Sequence, residues 1–405
     1  MAGQGQQNKA IAYVAARLPT LSETFVYREL MGLRSRGRTI VPVTVRQPAG
    51  NFGDAKLDAL AADAVQVYSR ATAISLLPAF LSMPGQFLRA LGDAGRADLP
   101  GAKARAKFLF QALMGLATAW RLRRARIGHV HAHLANTPAT IALYLARGLG
   151  AAFSFTGHAN DLFVHREALK FKLEQAAFVS SISRWHQTFY EEIAPGGTRP
   201  VIRCSVTMPE HAEGGADIVS VGRLVAKKGF DLLIRAFAQL DRPGIRLRIA
   251  GDGPERAALV ALAEAEGVAD RVDFLGALPH AQALAVIRSG AIFALPCRTS
   301  ATGDRDGIPV VLMEAMAAGK PVIAGRLETI AELVEDGMGG LLVPPDDVPA
   351  LTEALRRLVD DPVAGRAMGL AGRHHVAEEF SDEINWDRLE AAIDASGSEP
   401  GKKRA

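Results

Sequence analysis

Two carboxylates bracket an apolar run in "DGIPVVLMEAMAAGKPV", residues 306–322. Asp306 stands before Gly307, Ile308 and Pro309, and Glu314 sits alone among apolar and small residues. A buried carboxylate is costly unless something polar meets it. Pro309 suits the first turn of a helix, so Val310 onward should wind directly out of the loop. A helix start offers N–H groups and a partial positive charge, a seat for an anion. One turn in, Glu314 can accept from two hydroxyls, as a ribose diol presents them. Asp306, outside the helix, can accept from hydroxyls on whatever the anion carries. The plainer reading of Glu314, a first-turn acid favoured by the dipole, explains its charge but not its solitude.

"VGRLVAKKG" places Arg223 and Lys228 in one short loop, with Gly222 and Gly229 permitting close approach. Two cations there suit a diphosphate, although a solvated basic loop has the same letters. "AGDGPE" and "VIAGRLETIAE" follow two further strand-like runs, and the first reads equally well as a plain turn. His158 lies between Gly157 and Ala159 after another apolar run, which fits a site loop, although a lone histidine is more often structural. Asp304-Arg305-Asp306 mimics an Asp-x-Asp metal site. Cys204 and Cys297 have no metal-ligand or redox spacing, and no other His/Cys/carboxylate cluster is legible, so no metal is expected.

These residues need strand ends and helix starts to hold them. The chain has 405 residues, 49% hydrophobic and 22% charged, a prior for two domains with sizeable cores. Apolar runs of four to six residues alternate with amphipathic ones, the pattern of parallel α/β sheets. "SETFVYRELMGLRSRG" reads as a helix capped by Ser22 and stopped by Gly37, and "EEIAPGGTRP" as an interdomain linker. Ligands bind such sheets beyond the carboxyl ends of the strands. The net charge is +4, concentrated between positions 84 and 128, where nine Lys/Arg face two Asp. "FLFQALMGLATAW", flanked by basic residues within 102–126, is expected to lie as a helix at an anionic membrane surface; the plainer rival is a core helix with solvated ends. No run is long enough for a transmembrane helix, and "AIAYVAA" reads as a first strand rather than a signal peptide.

"VGRLVAKKGFDLLIRAF", "IAGDGPER", "FLGALPHAQ" and "DGIPVVLMEAMAAGKPV" with "ELVEDGMGGLLVPPDD" resemble the donor-binding half of retaining GT-B glycosyltransferases of family four. "LPTLSETFVYREL", "HVHAHLANTPATIA" and "FSFTGHANDLF" resemble that family's exopolysaccharide and colanic-acid branch. The resemblance spans roughly residues 11–380. It implies two facing Rossmann-like domains, 1–198 on the acceptor side and 199–377 binding the nucleotide-sugar. A helix over 378–395 should return to the first domain, with a disordered tail over 396–405. Arg223, Lys228 and the backbone of Gly307, Ile308, Pro309 and Val310 would hold the donor diphosphate. Glu314 would hold the ribose and Asp306 the sugar hydroxyls. His158 would lie near the anomeric carbon, and Ser22, Glu23 and Thr24 would form an acceptor-side loop. The chain departs from the family where Asp306 replaces a usual Glu and Thr329-Ile330-Ala331-Glu332 replaces Gly-Ile-Pro-Glu.

The implied activity is retaining, metal-independent sugar transfer from a nucleoside-diphosphate sugar, with no other cofactor. The acceptor would be a carbohydrate or lipid-linked oligosaccharide of an exopolysaccharide or cell-surface glycan. The protein would be cytoplasmic, peripheral on the inner membrane face, and would bind no nucleic acid. A GT-B epimerase and a non-catalytic binder of nucleotide-sugars or anionic surfaces are the rivals. A dehydrogenase is disfavoured, because no strand-like run leads into Gly-x-Gly-x-x-Gly.

Overall fold

A computed structural model describes residues 9–20, 23–48, 52, 54–158, 160–163, 166–210 and 214–397. Ser22 of the acceptor-side loop lies outside the described residues, and the helix expected to be capped by it runs Thr24–Ser35 with Glu23 at the N-cap position. The chain divides into two compact units, Met1–Arg203 with Trp386–Ala405, and Cys204–Asn385.

The first unit is built on strands β1 (Ala10–Ala15), β2 (Ile40–Thr44), β3 (Val65–Gln66), β4 (Ile127–His133), β5 (Ala152–Thr156) and β6 (Phe178–Ser180). They form one parallel sheet in the order β3-β2-β1-β4-β5-β6. The second unit carries β7 (Ile218–Val221), β8 (Leu247–Ala250), β9 (Val272–Gly276), β10 (Ile292–Leu295), β11 (Val322–Gly325) and β12 (Gly340–Val343). Its parallel order is β12-β11-β10-β7-β8-β9. Counted within its own unit, each sheet has the doubly wound order 3-2-1-4-5-6, reversing between its first and fourth strands. Runs such as "IVSV" and "VIAG" are buried throughout, as strands covered by helices on both faces must be.

Three readings of the sequence need correction. The segment "EEIAPGGTRP" is not a linker between the units. Val179 donates to the Thr198 carbonyl at 2.9 Å and Ser181 to Pro200 at 2.9 Å, which pins the segment along β6; the division falls at Arg203 and Cys204. The tail is not disordered from 396 onward, since the last helix runs Asp382–Gly397 and Ser396 donates to the Ile393 carbonyl at 2.6 Å. Positions 398–405 lie outside the described residues. That helix belongs to the first unit from Trp386. Its Asp387, Glu390 and Asp394 take up Arg36 and Arg38 at 2.5–3.0 Å, and Trp386 covers Gly32, where a Cβ would lie 2.3 Å from the indole.

The third correction concerns "FLFQALMGLATAW". Helix Gly101–Leu122 is a core helix: Phe108, Ala112, Leu116 and Ala119 recur at helical spacing and are buried. Arg105 donates to the Ala94 and Gly95 carbonyls at 2.6 Å, and Arg121 to Gln66 O and Thr72 Oγ1. Two of the flanking cations are therefore internal hydrogen-bond donors. Phe110 of this helix is 52% exposed, but the larger group of apolar residues in solvent belongs to the preceding helices Leu76–Ser82 and Pro84–Arg96, where Leu77, Leu81, Leu88 and Leu91 are 60–71% exposed. Among the described residues no single helix is long and apolar enough to cross a membrane.

Candidate functional site

In the second unit the predicted donor residues converge beyond β7 and β10, the strands flanking the reversal of sheet order. The β7 loop leads into a short 3-10 turn, Ala226–Lys228, ended by Gly229 at φ +69°. It runs beside the "AGDG" loop after β8, with Leu224 donating to Asp252 O at 3.0 Å and Glu255 to Leu224 O at 3.2 Å. A Cβ on Gly251, at φ +146°, would lie 1.9 Å from the Gly222 carbonyl. The "AGDG" glycine is thus required by close packing of two loops.

Asp306 receives both neighbouring lysines, Lys228 Nζ at 3.0 Å and Lys227 Nζ at 3.5 Å. Burial alone would push its carboxyl up, but Lys228 and then Lys227 outweigh that and hold it below the ordinary carboxylate range. Burial works against the Lys228 charge, and Asp306 restores it, leaving the ammonium above its usual value. Cys297 Sγ, 3.4 Å from Asp306, is pushed well up by burial and then by that carboxylate, so it is an inert thiol. Lys227 also reaches Asp304 at 3.2 Å, so the Asp-x-Asp pair shares a lysine ammonium. Arg223 is exposed, and its charge bears on Lys228. The structure therefore brings Arg223, Lys228 and Asp306 together, and adds Lys227.

Pro309 is the residue before the helix rather than its first turn; the helix is Val310–Ala317. Gly307 and Ile308 are buried, and Thr329 Oγ1 ties their loop down, donating to Gly307 O at 2.7 Å and Asp306 O at 3.3 Å. The departure from the family at Thr329 thus supplies a hydroxyl tether for the loop. Glu314 is buried in that helix and pairs with His280 Nε2 at 2.7 Å. That imidazole is the polar partner the sequence did not name.

The first unit holds a second cluster at its own reversal point. His158, half-buried beyond β5, is fixed by its backbone: its N–H meets Asp161 at 3.2 and 3.3 Å, and its carbonyl faces His186 Nε2 at 2.9 Å. Asp161 also accepts from Ala135 N at 2.6 Å. Phe25 packs on the His158 ring at 4.6 Å between centroids, which brings Glu23 and Thr24 to this site, Thr24 as the first residue of helix Thr24–Ser35 rather than part of a loop. Thr24 is buried, and the Glu23 carboxyl is raised by burial and then by Asp161.

Beneath His158 lie groups that sequence reasoning missed. His133 Nδ1 is 3.0 Å from His158 Nε2, and His133 Nε2 is 3.1 Å from Glu29 Oε1 and 2.5 Å from Tyr13 Oη. Glu29, His131 and His133 place potential ligand atoms within 4.8 Å of one another, contrary to the expectation of no such cluster. Both His131 nitrogens, however, already face hydroxyls, Ser154 Oγ at 2.7 Å and Thr156 Oγ1 at 3.1 Å. The signal was present in "HVHAH": on a strand, alternate residues share a face.

The second unit also identifies itself by similarity. Residues 208–375 match the family described as "Glycosyl transferases group 1". A GDP-mannose-dependent alpha-(1-6)-phosphatidylinositol monomannoside mannosyltransferase of Mycolicibacterium smegmatis is 42% identical over 175 residues, 42% of this chain and 46% of that protein. A protein of Escherichia coli (strain K12) whose name places it in colanic acid biosynthesis as a glycosyltransferase is 39% identical over 187 residues, 44% and 45% of the two chains. The chain thus spans about half the length of these relatives. Two solved structures share the whole fold. Sucrose-phosphate synthase from Thermosynechococcus elongatus has TM-score 0.72 at 18% identity, covering 95% and 98% of the two chains. Anabaena HepE in complex with UDP has TM-score 0.71 at 16% identity, covering 95% and 100%. The second unit thus matches the glycosyl transferases group 1 family over residues 208–375, and the chain has the GT-B fold.

Proposed function

We propose that this chain is a retaining, metal-independent glycosyltransferase that moves a sugar from a nucleoside-diphosphate sugar to a lipid-linked glycan acceptor of an exopolysaccharide or cell surface. The observation that carries the reading is the set of cations beyond β7. Lys227 and Lys228 lie beside Asp306, and the Arg223 charge bears on Lys228, in a domain that matches glycosyl transferases group 1, one loop ahead of the Val310 helix start. Loss of a diphosphate develops charge on its oxygens, and preorganised cations and helix N–H groups stabilise that charge. Glu314 binds the ribose and Asp306 the sugar hydroxyls. Retention follows same-face attack, in which the leaving phosphate accepts the acceptor's proton.

Attachment at the inner membrane face is part of the proposal, through a different surface from the one the sequence suggested. Leu77, Leu81, Leu88 and Leu91 stand in solvent with Arg70, Arg89 and Arg96 exposed around them, a match for an anionic bilayer. The relatives' names direct the donor screen: GDP-mannose first, then UDP-sugars. Thermal shift with these donors should raise the melting temperature for one of them, and labelled donor should then transfer to a lipid-linked acceptor with chelator present. Donor binding without transfer or hydrolysis would support the rival reading, a nucleotide-sugar binding protein.

A further inference from the structure

Glu314 shares its place in the second unit with an imidazole. Its side chain is 8% exposed, and its Oε1 faces His280 Nε2 at 2.7 Å. The imidazole is the stronger base of the two, so the proton between them sits on Nε2 and the carboxylate accepts it. In the neutral ring the other nitrogen, Nδ1, then carries a lone pair. Among the described residues Nδ1 meets no protein group, and the ring is 35% exposed. The second oxygen of Glu314 likewise meets no donor among those residues.

The backbone holds the ring in place. Pro279, at φ −54°, stands immediately before helix His280–Ser289, and its carbonyl accepts from Gln282 N at 2.9 Å and Ala283 N at 3.0 Å. That helix follows β9, and the Val310 helix follows β10, so both begin beyond the carboxyl edge of one parallel sheet. Ligands of such sheets bind along that edge. Both residues belong to the second unit.

We propose that His280 is a second ribose-binding residue: its Nε2–H fixes Glu314, and its Nδ1 accepts from one of the vicinal hydroxyls of a nucleoside diphosphate while Glu314 accepts from the other. Neighbouring acceptors on two side chains suit a diol, whose hydroxyls both donate, and a deoxyribose leaves one of them unmatched. The role rests on the transferase reading above and involves no group of the first unit.

Imidazole nitrogen NMR on the full chain, in mildly alkaline buffer, follows His280 while GDP and, in parallel, UDP are added. Without nucleotide His280 should show a protonated Nε2 and a bare Nδ1, and binding should move the Nδ1 signal. The 2′-deoxy and 3′-deoxy forms of the nucleotide that binds should each bind about tenfold more weakly than the parent, and one of them should leave Nδ1 unmoved. His280→Phe should lose the discrimination against that one form and keep it against the other. His280→Gln, whose amide both donates and accepts, should restore it. A histidine that only satisfies a buried carboxylate predicts a different result: His280→Phe would lower the melting temperature yet discriminate against both deoxy forms as the wild type does, and this overturns the proposal. So does a wild-type chain that binds GDP or UDP with Nδ1 unmoved, a result that decides even if the variants do not fold. That outcome leaves the transferase reading standing, whereas a chain that binds neither nucleotide sinks both.

Discussion

At the scale of single residues, Asp306 is held differently from what its sequence position suggests. Read from sequence, Asp306 and Glu314 divide one ligand, and neutralising Asp306 should leave diphosphate affinity untouched. In the structure Asp306 occupies the Lys228 ammonium at 3.0 Å, which an incoming diphosphate would contest. Asp306→Asn should therefore tighten nucleoside diphosphate binding by about 1 kcal/mol, the scale of one such contact, while lowering turnover. Weaker diphosphate binding in that variant, measured by calorimetry, counts against the shared lysine. Lys228→Ala should weaken binding by roughly 1.5–3 kcal/mol, the range for a charged hydrogen bond. It should also lower the melting temperature, because the buried Asp306 keeps only Lys227 at 3.5 Å. Arg223→Ala, at an exposed side chain, should cost diphosphate affinity without that loss of stability. Equal melting temperatures for the two variants would mean the Lys228 pair contributes no stability.

At the scale of elements, charge and apolarity along "FLFQALMGLATAW" pointed to a membrane surface, and helix contacts overturn that reading in favour of the core. Phe108 and Leu116 face the core, while Leu81 and Leu88 of the preceding helices face solvent. A single sequence shows that a helix is apolar but not which neighbour covers it. Leu81→Glu with Leu88→Glu should therefore abolish flotation with anionic vesicles and leave the fold intact, whereas Phe108→Ala should cost about 3–5 kcal/mol of stability. Vesicle binding that survives both glutamates removes this surface from the proposal. The strand ends were more legible. Apolar runs flanked by Gly, Lys and Asp fixed the β7 and β10 loops to within a residue or two, because short parallel strands admit few alternatives. His280 opposite Glu314, and Tyr13 with Glu29 beneath His133, join elements 34, 16 and 104 positions apart. No local pattern encodes such pairings.

At the scale of the whole molecule, the same strand order is used twice with opposite electrostatics. The reversal point of the first unit is lined by the neutral buried His131 and His133 with the half-buried His158, and that of the second by lysine–aspartate pairs. Burial depresses His129, His133 and His158 to about 3 and His131 well below its ordinary value. A histidine whose folded value lies below its unfolded one takes up protons first in the unfolded chain. Stability is therefore complete above about pH 6.5 and is lost progressively as pH falls from there toward the folded values. By pH 5.5 each such ring costs about 1.4 kcal/mol, and four together on the order of 5 kcal/mol, comparable to the stability of a whole domain. Asp306 behaves differently: its depressed carboxyl withdraws stability only below the ordinary carboxylate range. Glu23, raised by burial, returns some stability to the first unit as pH falls from its raised folded value to the ordinary carboxylate value of 4.5, where the gain is complete. Between pH 7 and pH 5 the first unit should accordingly loosen while the second holds. Hydrogen exchange should show protection falling in peptides from β1, β4 and β5 before those from β7 and β10. Simultaneous loss in both units, or earlier loss in the second, would mean that the buried histidines are not what limits acid stability.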